Sequence, residues 1–211
     1  MLNQKTLHYI AIFILWLFHV SGILGITFGN RNWFVERTGL NLLVTVLVLI
    51  FFFKIDTFKK IILFIGLGIA GVFFEYLGVN YSLLFGDYEY GENLGTKIGG
   101  VPIFIGVNWA LLTYISGAVA NKIHANWLLK ALIGTGLMLI LDFLMEKTAP
   151  IFDFWKFEGG IAPLSNYTAW AIIAFGFNCI FQLFKVKGNF QISLHIFLVQ
   201  LVFFSYFYAY Y

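Results

Sequence analysis

The sequence predicts an all-α protein that crosses a membrane seven times. Hydrophobic residues make up 61% of the 211 residues and charged residues only 11%, whereas a soluble domain carries roughly 25% charged residues. The apolar residues fall into seven segments, and a helix needs roughly 20 such residues to cross a bilayer. We therefore expect residues 1–211 to form a single multi-pass transmembrane domain in the cytoplasmic membrane.

The seven predicted helices follow one another along the chain with short connections. The first is too long for a signal-peptide core and lacks a small-residue cleavage site, so we expect it to be retained. The second is the shortest, and Lys54 at its end can extend towards the membrane surface. The third and the fifth contain acidic residues within apolar sequence. The predicted spans are 6–28, 38–54, 60–80, 100–120, 126–147, 165–184 and 190–210.

The distribution of basic residues predicts the orientation of the chain. Eight of the 13 Lys and Arg residues lie on the side of the N-terminus. Because cytoplasmic loops are enriched in Lys and Arg, we expect a cytoplasmic N-terminus and, after seven spans, an external C-terminus. Nine of the ten acidic residues lie towards the other face. Acidic residues contribute little to orientation, so this asymmetry indicates a functional site in the outer half.

Several function classes lack the residues that they need. A net charge of +3 and scattered basic residues do not form the patch that binds nucleic acid. The four histidines are also scattered, so we predict no metal site. The glycines of Gly66–Gly71 match GxGxxG, but no strand precedes them, which favours a helix-packing surface. The last span has no lysine for a retinal Schiff base. We expect no cofactor.

Three acidic residues lie within predicted helices, where charged groups are costly and usually mark function. Asp142 and Glu146 are four residues apart and share one face of the fifth helix. Glu75 and Glu146 lie near helix ends, from which their side chains could reach the membrane surface. Asp142 lies deeper, ~18 Å along the helix from Lys130 at 1.5 Å per residue. We predict that Asp142, Glu146 and Glu75 are the catalytic residues.

The two hairpins that carry these acids have similar sequences. Each contains a membrane acid, an aromatic loop, a Gly-Gly pair, a proline that opens the next helix, and then an amide and a tryptophan. Repeated hairpins in membrane proteins commonly enclose a site, although aromatic residues are also typical of the interfacial belt. Loop acids such as Glu89 are expected to be solvated. The predicted substrate-binding residues are Tyr88, Tyr90, Asn108, Trp109, Trp155, Asn166 and Trp170.

Buried carboxyl groups among aromatic side chains suit acid chemistry on an apolar substrate. A carboxyl group that burial keeps protonated can act as an acid and can protonate an isoprenoid C=C bond. Aromatic faces stabilise the tertiary carbocation that results. A second carboxylate can then orient water for attack, which gives a hydratase, or a neighbouring double bond can attack, which gives a cyclase.

Two blocks of the sequence resemble the membrane carotenoid biosynthesis proteins. They read FGDYEY…LG…GGVP…NWALL over Phe85–Leu112 and LDFLMEKTAP…FW…GG…PLSNYTAW over Leu141–Trp170. That family includes γ-carotene 1′-hydroxylase, a hydratase, and the archaeal bisanhydrobacterioruberin hydratase. The resemblance covers roughly residues 60–185. Family members tend to have an acid-rich run that ends in Asp-Pro, and this chain has Glu146–Pro150 there. They also tend to have a Gly-x-Trp-x-Trp loop, and this chain has Asp153–Phe157 there, with Phe157 in place of the second Trp.

The resemblance implies that water is added across the C1′=C2′ bond of an acyclic carotenoid end group. With it, we assign Asp142 as the proton donor and Glu146 or Glu75 as the base that positions water. Aromatic residues would line the cation site and amides would hold the water, namely Trp109, Trp155, Tyr88 and Tyr90, with Asn108 and Asn166. The expected partners are a γ-carotene or lycopene-like substrate, the lipid bilayer and, as candidates, other carotenoid enzymes. A lycopene-type cyclase and a non-catalytic carotenoid- or lipid-binding protein remain alternatives.

Overall fold

The computed structural model describes residues 3–211, and this part of the chain contains seven helical segments long and apolar enough to cross a membrane. The predicted all-α membrane fold is therefore confirmed, and each predicted span overlaps one of these segments. The protein is a multi-pass membrane protein. The helices are α1 (Gln4–Phe28), α2 (Arg31–Val35), α3 (Thr38–Phe53), α4 (Phe58–Tyr81), α5 (Ile103–Ala120), α6 (Trp127–Thr148), α7 (Leu164–Leu183) and α8 (Phe190–Tyr210).

Most helices begin where the sequence provides a capping side chain. Five helices have an Asn or Thr N-cap whose side-chain oxygen accepts a hydrogen bond from a backbone N–H of the first turn. These caps are Asn3, Asn30, Thr57, Asn126 and Asn189. Helices α5 and α7 instead follow Pro102 and Pro163, so both prolines that the sequence analysis singled out lie at helix starts.

The second span begins earlier than predicted, because the short helix α2 extends it to Arg31. The predicted span began at residue 38 and did not include this stretch. In the structure, the Arg37 guanidinium lies 3.9 Å from the centre of the Trp33 ring, and Arg31 donates a hydrogen bond to the carbonyl of Ile151. These contacts accommodate the charges at the end of the span.

Four short strands, which the sequence did not predict, lie in the two aromatic loops: β1 (Tyr88–Tyr90), β2 (Lys97–Ile98), β3 (Val101–Pro102) and β4 (Trp155–Phe157). Strand β2 pairs with β3, and β1 pairs with β4 in antiparallel register, with Glu89 opposite Lys156. Runs of two or three residues are too short to show the alternation that identifies a strand. The β1–β4 pair therefore joins the two hairpins whose sequences are similar.

Helix α5 is the inner helix of the bundle. Within its span 72% of the residues are buried, against at most 44% in the other spans, and it contacts α3, α4, α6, α7 and α8. Helices α4 and α5 approach closely at glycines: a Cβ atom at Gly106 would lie 2.5 Å from the Gly68 carbonyl oxygen. This contact, with that of Gly71 against Trp109, confirms the helix-packing surface at Gly68 and Gly71, whereas a Cβ atom at Gly66 would have no neighbour within 4 Å.

Candidate functional site

A small cavity between α4, α5, α6, α7 and the paired loops contains most of the predicted site residues. Its volume is about 20 Å³, and one water needs roughly 10–15 Å³. Nine of the ten predicted residues line it, and only Asp142 does not. The nine are Glu75, Glu146, Tyr88, Tyr90, Asn108, Trp109, Trp155, Asn166 and Trp170.

Glu75, on α4, accepts three hydrogen bonds. Its Oε2 atom accepts from the Tyr88 hydroxyl at 2.5 Å and from the Tyr90 hydroxyl at 2.8 Å, and its Oε1 atom accepts from Trp109 Nε1 at 2.9 Å. The residue is only 4% exposed. Hydrogen bonds donated to a carboxylate stabilise its charged form, whereas burial opposes the charge; the three donors fix the position of this carboxyl group inside the bundle.

Two glycines make room for these donors. Gly71 and Gly78 lie one turn before and after Glu75 on the same face of α4. A Cβ atom at position 71 would lie 2.8 Å from Trp109, and one at position 78 would lie 2.7 Å from the Tyr88 hydroxyl oxygen. The sequence indicated Gly71 only as part of a helix-packing surface and did not single out Gly78; the spacing of both around a membrane acid is the signal that could have identified them as site residues.

The two tyrosines lie in the loop, outside the spanning helices. Burial raises the pKa of the Tyr88 hydroxyl far above its ordinary value, and the charge of Glu75 raises this pKa further. The pKa of Tyr90 is raised by the same two causes in the same order. Both hydroxyl groups therefore keep their protons and act as hydrogen-bond donors to Glu75.

Glu146, near the end of α6, accepts one hydrogen bond at each oxygen. Trp155 Nε1 donates to Oε2 at 3.0 Å, and Asn166 Nδ2 donates to Oε1 at 2.8 Å. Its neighbour Lys147 instead donates to the Tyr208 carbonyl at 2.8 Å. Glu146 therefore lines the cavity rather than extending towards the membrane surface, which was the structural alternative for this acid, and it does not pair with Lys147.

Asp142 lies one helical turn deeper on α6 and is fully buried. Neither of its carboxyl oxygens has a hydrogen-bond partner among residues 3–211. An ionised carboxylate in apolar surroundings is very unfavourable unless it is paired, so this environment favours the neutral, protonated form. The three membrane acids therefore differ in their hydrogen bonding: Glu75 has three donors, Glu146 has two and Asp142 has none.

Two tryptophans from the related hairpins stack on each other at the cavity. Trp109 and Trp170 each follow a helix-capping proline by seven residues. Their ring centroids are 3.8 Å apart, and the ring planes differ by 18°. Stacked indoles provide an aromatic surface of the kind that attracts a cation.

A second cavity of about 100 Å³ lies beside the first. The two share part of their walls, namely Ile105, Asn108, Met145 and Trp155. The rest of the second cavity is lined by residues of α1, α3, α8 and the loops and by Phe104 of α5. The residues predicted from the sequence all lie in the two hairpins that carry the membrane acids, so the prediction did not include the side chains of the first, second and seventh spans that line the second cavity.

The part of the chain that matches a known family includes the residues of both cavities, apart from the one that the first helix contributes. A family model described as carotenoid biosynthesis protein matches residues 37–210. Comparison with curated proteins and with solved structures gives no match. The match spans most of the chain and includes every residue that lines the first cavity. The chain belongs to the carotenoid biosynthesis protein family.

Proposed function

We propose that the protein is a carotenoid hydratase, which adds water to the C1′=C2′ bond of an acyclic carotenoid end group. Membership of the family supports a role in carotenoid biosynthesis. One observation carries the specific activity: two hydrogen-bonded carboxyl groups, those of Glu75 and Glu146, line one aromatic cavity, and Asp142, a buried acid without hydrogen-bond donors, lies one helical turn from Glu146. Acid-catalysed hydration needs a proton donor, a stabilised cation and a base for water.

In the proposed mechanism, Asp142 protonates C2′ and leaves a tertiary cation at C1′. Asp142 is the acid because no group among residues 3–211 hydrogen-bonds to its oxygens and stabilises its charged form. A cavity with space for about one water must widen to admit an isoprenoid end group. Widening towards α6 would bring the end group to Asp142.

The fixed groups around the cavity would stabilise the cation. As a carboxylate, Glu75 would hold its charge in a position that three donors set before the reaction begins. Such preorganised charge stabilises a transition state without reorganisation. The stacked Trp109 and Trp170 supply an aromatic surface beside it.

Water capture completes the reaction. A water held by Asn108 and Asn166 attacks C1′, and Glu146 accepts the proton that the attacking oxygen loses. Asn166 already hydrogen-bonds to Glu146. Asp142 and Glu146 are one turn apart on the same face of α6, so a proton can return from Glu146 to Asp142. The sum of these steps is addition of one water.

Product masses test the proposal. The protein is expressed in bacteria that make lycopene or γ-carotene, and the pigments are extracted. We expect a new carotenoid heavier by one water, roughly 18 mass units, because protonation and water capture add H and OH. A cyclase would give a product of unchanged mass, and a binding protein would give no new pigment. Either result would contradict the hydratase assignment.

We also propose that the cavity lies in the outer half of the cytoplasmic membrane, with the N-terminus in the cytoplasm. The excess of Lys and Arg on the N-terminal side supports this orientation. The paired strands β1 and β4 put both aromatic loops at one end of the bundle, which is the end predicted to face outwards.

A further inference from the structure

The second cavity combines apolar walls with polar side chains from four helices. Leucine, isoleucine, methionine and aromatic side chains form most of its surface. The polar side chains include one each from α1, α3, α5 and α8, namely His19, Asn41, Asn108 and Gln200. These residues are far apart in sequence, and only the packing of the bundle brings them to one place.

Most of these polar groups lack partners in the protein. Gln200 is only 8% exposed, and neither its side chain nor that of Asn108 forms a hydrogen bond with another residue in the described range, 3–211. The buried Oδ1 atom of Asn41 is likewise without a partner in that range. By contrast, Thr38 and Thr45, which also line the cavity, donate to backbone carbonyls of their own segment at 2.7 and 2.9 Å.

This pattern points to an occupant that carries a hydrogen-bonding oxygen. Burial of a polar group without a partner is unfavourable, and a pure hydrocarbon would leave the amides of Asn41 and Gln200 unpaired. The apolar walls equally favour carbon groups over water alone. An isoprenoid end group that bears a hydroxyl satisfies both requirements.

The position and size of the cavity agree with such an end group. The second cavity adjoins the first through Asn108 and Trp155. An alcohol formed at Glu146 would therefore need to move only a short way to enter it. A cavity of roughly 150 Å³ binds benzene. A volume of about 100 Å³ therefore suits a branched end with two methyl groups and one hydroxyl.

We infer that the second cavity binds the tertiary-alcohol end group of an isoprenoid, with its hydroxyl hydrogen-bonded to Gln200 and Asn41. This inference rests on the proposed function, because hydration at C1′ produces this end group. It assigns a separate role to Asn41 and Gln200, which do not line the first cavity: they distinguish the hydrated end group from the unreacted one.

A matched pair of small probes tests this inference without any turnover of carotenoid. Dihydromyrcenol carries the same tertiary-alcohol end, and dihydromyrcene is the alkene from which it differs by one water. Their binding to the whole protein in lipid nanodiscs is measured by saturation-transfer NMR at the geminal methyl groups, with protein-free nanodiscs subtracted. We expect the alcohol to bind more tightly, by roughly two- to tenfold, the effect of one or two hydrogen bonds.

Gln200→Met and Asn41→Leu should abolish this preference while binding of the alkene is unchanged. Because Gln200→Met removes an unpaired buried amide, the ligand-free variant should unfold at a temperature equal to or above that of wild type. Gln182→Met is the matched control, since Gln182 is also 8% exposed but lines neither cavity; it should keep the preference.

The outcomes separate this inference from the proposed function. Equal binding of alcohol and alkene to wild type, or a preference that persists in both Gln200→Met and Asn41→Leu, would overturn the inference even if carotenoids are hydrated. A preference that both variants lose would support the alcohol site even if no hydrated carotenoid forms in cells, in which case only the proposed function fails.

Discussion

Trp109 donates a hydrogen bond from Nε1 to Glu75 Oε1 at 2.9 Å, across the contact between α4 and α5. The same indole stacks on Trp170 of α7. One side chain on the inner helix therefore positions both the Glu75 carboxyl group of α4 and the Trp170 ring of α7. Its place against α4 depends on Gly71, which has no side chain to displace it.

We predict that Gly71→Ala lowers hydratase activity by about tenfold or more, because a small misplacement of a positioning group can cost up to about a hundredfold. The added Cβ would lie 2.8 Å from Trp109 and would force the indole away from Glu75. Alcohol formed per amount of membrane protein is the measurement. Gly66→Ala is the control, since that position on the same helix has no atom within 4 Å of an added Cβ. Equal activity in the two variants would show that the packing of Trp109 against Gly71 does not affect catalysis.

Asp142→Asn should give near-complete loss of hydrated product with normal insertion into the membrane. The substitution removes the proton donor and keeps the shape of the side chain. Glu89→Gln is the control, because Glu89 is exposed on β1 and should change activity little. Pigment analysis of cells that contain equal amounts of each variant makes the comparison. Wild-type activity in Asp142→Asn would contradict its assignment as the acid.

The stability of the acid variants should follow their hydrogen bonds. Glu75→Gln replaces an oxygen that accepts hydrogen bonds by an NH₂ group that cannot, and an unsatisfied buried donor costs about 1–3 kcal/mol. Asp142→Asn breaks no hydrogen bond found among residues 3–211, so it should destabilise the protein less than Glu75→Gln does. Thermal unfolding in nanodiscs measures both. A larger loss of stability in Asp142→Asn than in Glu75→Gln would contradict the described hydrogen bonding.

Cysteine labelling tests the orientation. Cys179 is first replaced by alanine, and single cysteines are introduced at Glu158 and at Lys122. A membrane-impermeant maleimide should label position 158 from outside the cell and position 122 only after the membrane is opened. The reverse pattern would invert the protein and place the cavity in the cytoplasmic half.

Composition and hydropathy were sufficient to predict the seven spans, because bilayer thickness determines the length of a spanning helix. The repeated order of acid, aromatic loop, Gly-Gly, proline, amide and tryptophan contains eight of the nine predicted residues that line the first cavity, and the ninth, Glu146, was predicted from its spacing to Asp142. Both predictions depend on local sequence or on comparison within the chain.

The features that the sequence did not predict depend on tertiary packing. The spacing of Asp142 and Glu146 places them on one helix face, but only the packing of α6 decides that Glu146 alone lines the cavity. The second cavity gathers side chains such as Asn41 and Gln200 from helices far apart in sequence, and no local pattern relates them. Strands of two or three residues form only where the two loops meet.

The origin of the hydroxyl oxygen tests the central claim most directly. The conversion is carried out anaerobically in oxygen-18 water, with γ-carotene as substrate and no added reductant. Since protonation by a carboxyl group and capture of water need no oxidant, we predict that the tertiary hydroxyl carries the heavy isotope and that the reaction proceeds without oxygen. A strict requirement for molecular oxygen, with unlabelled product from this water, would contradict the account.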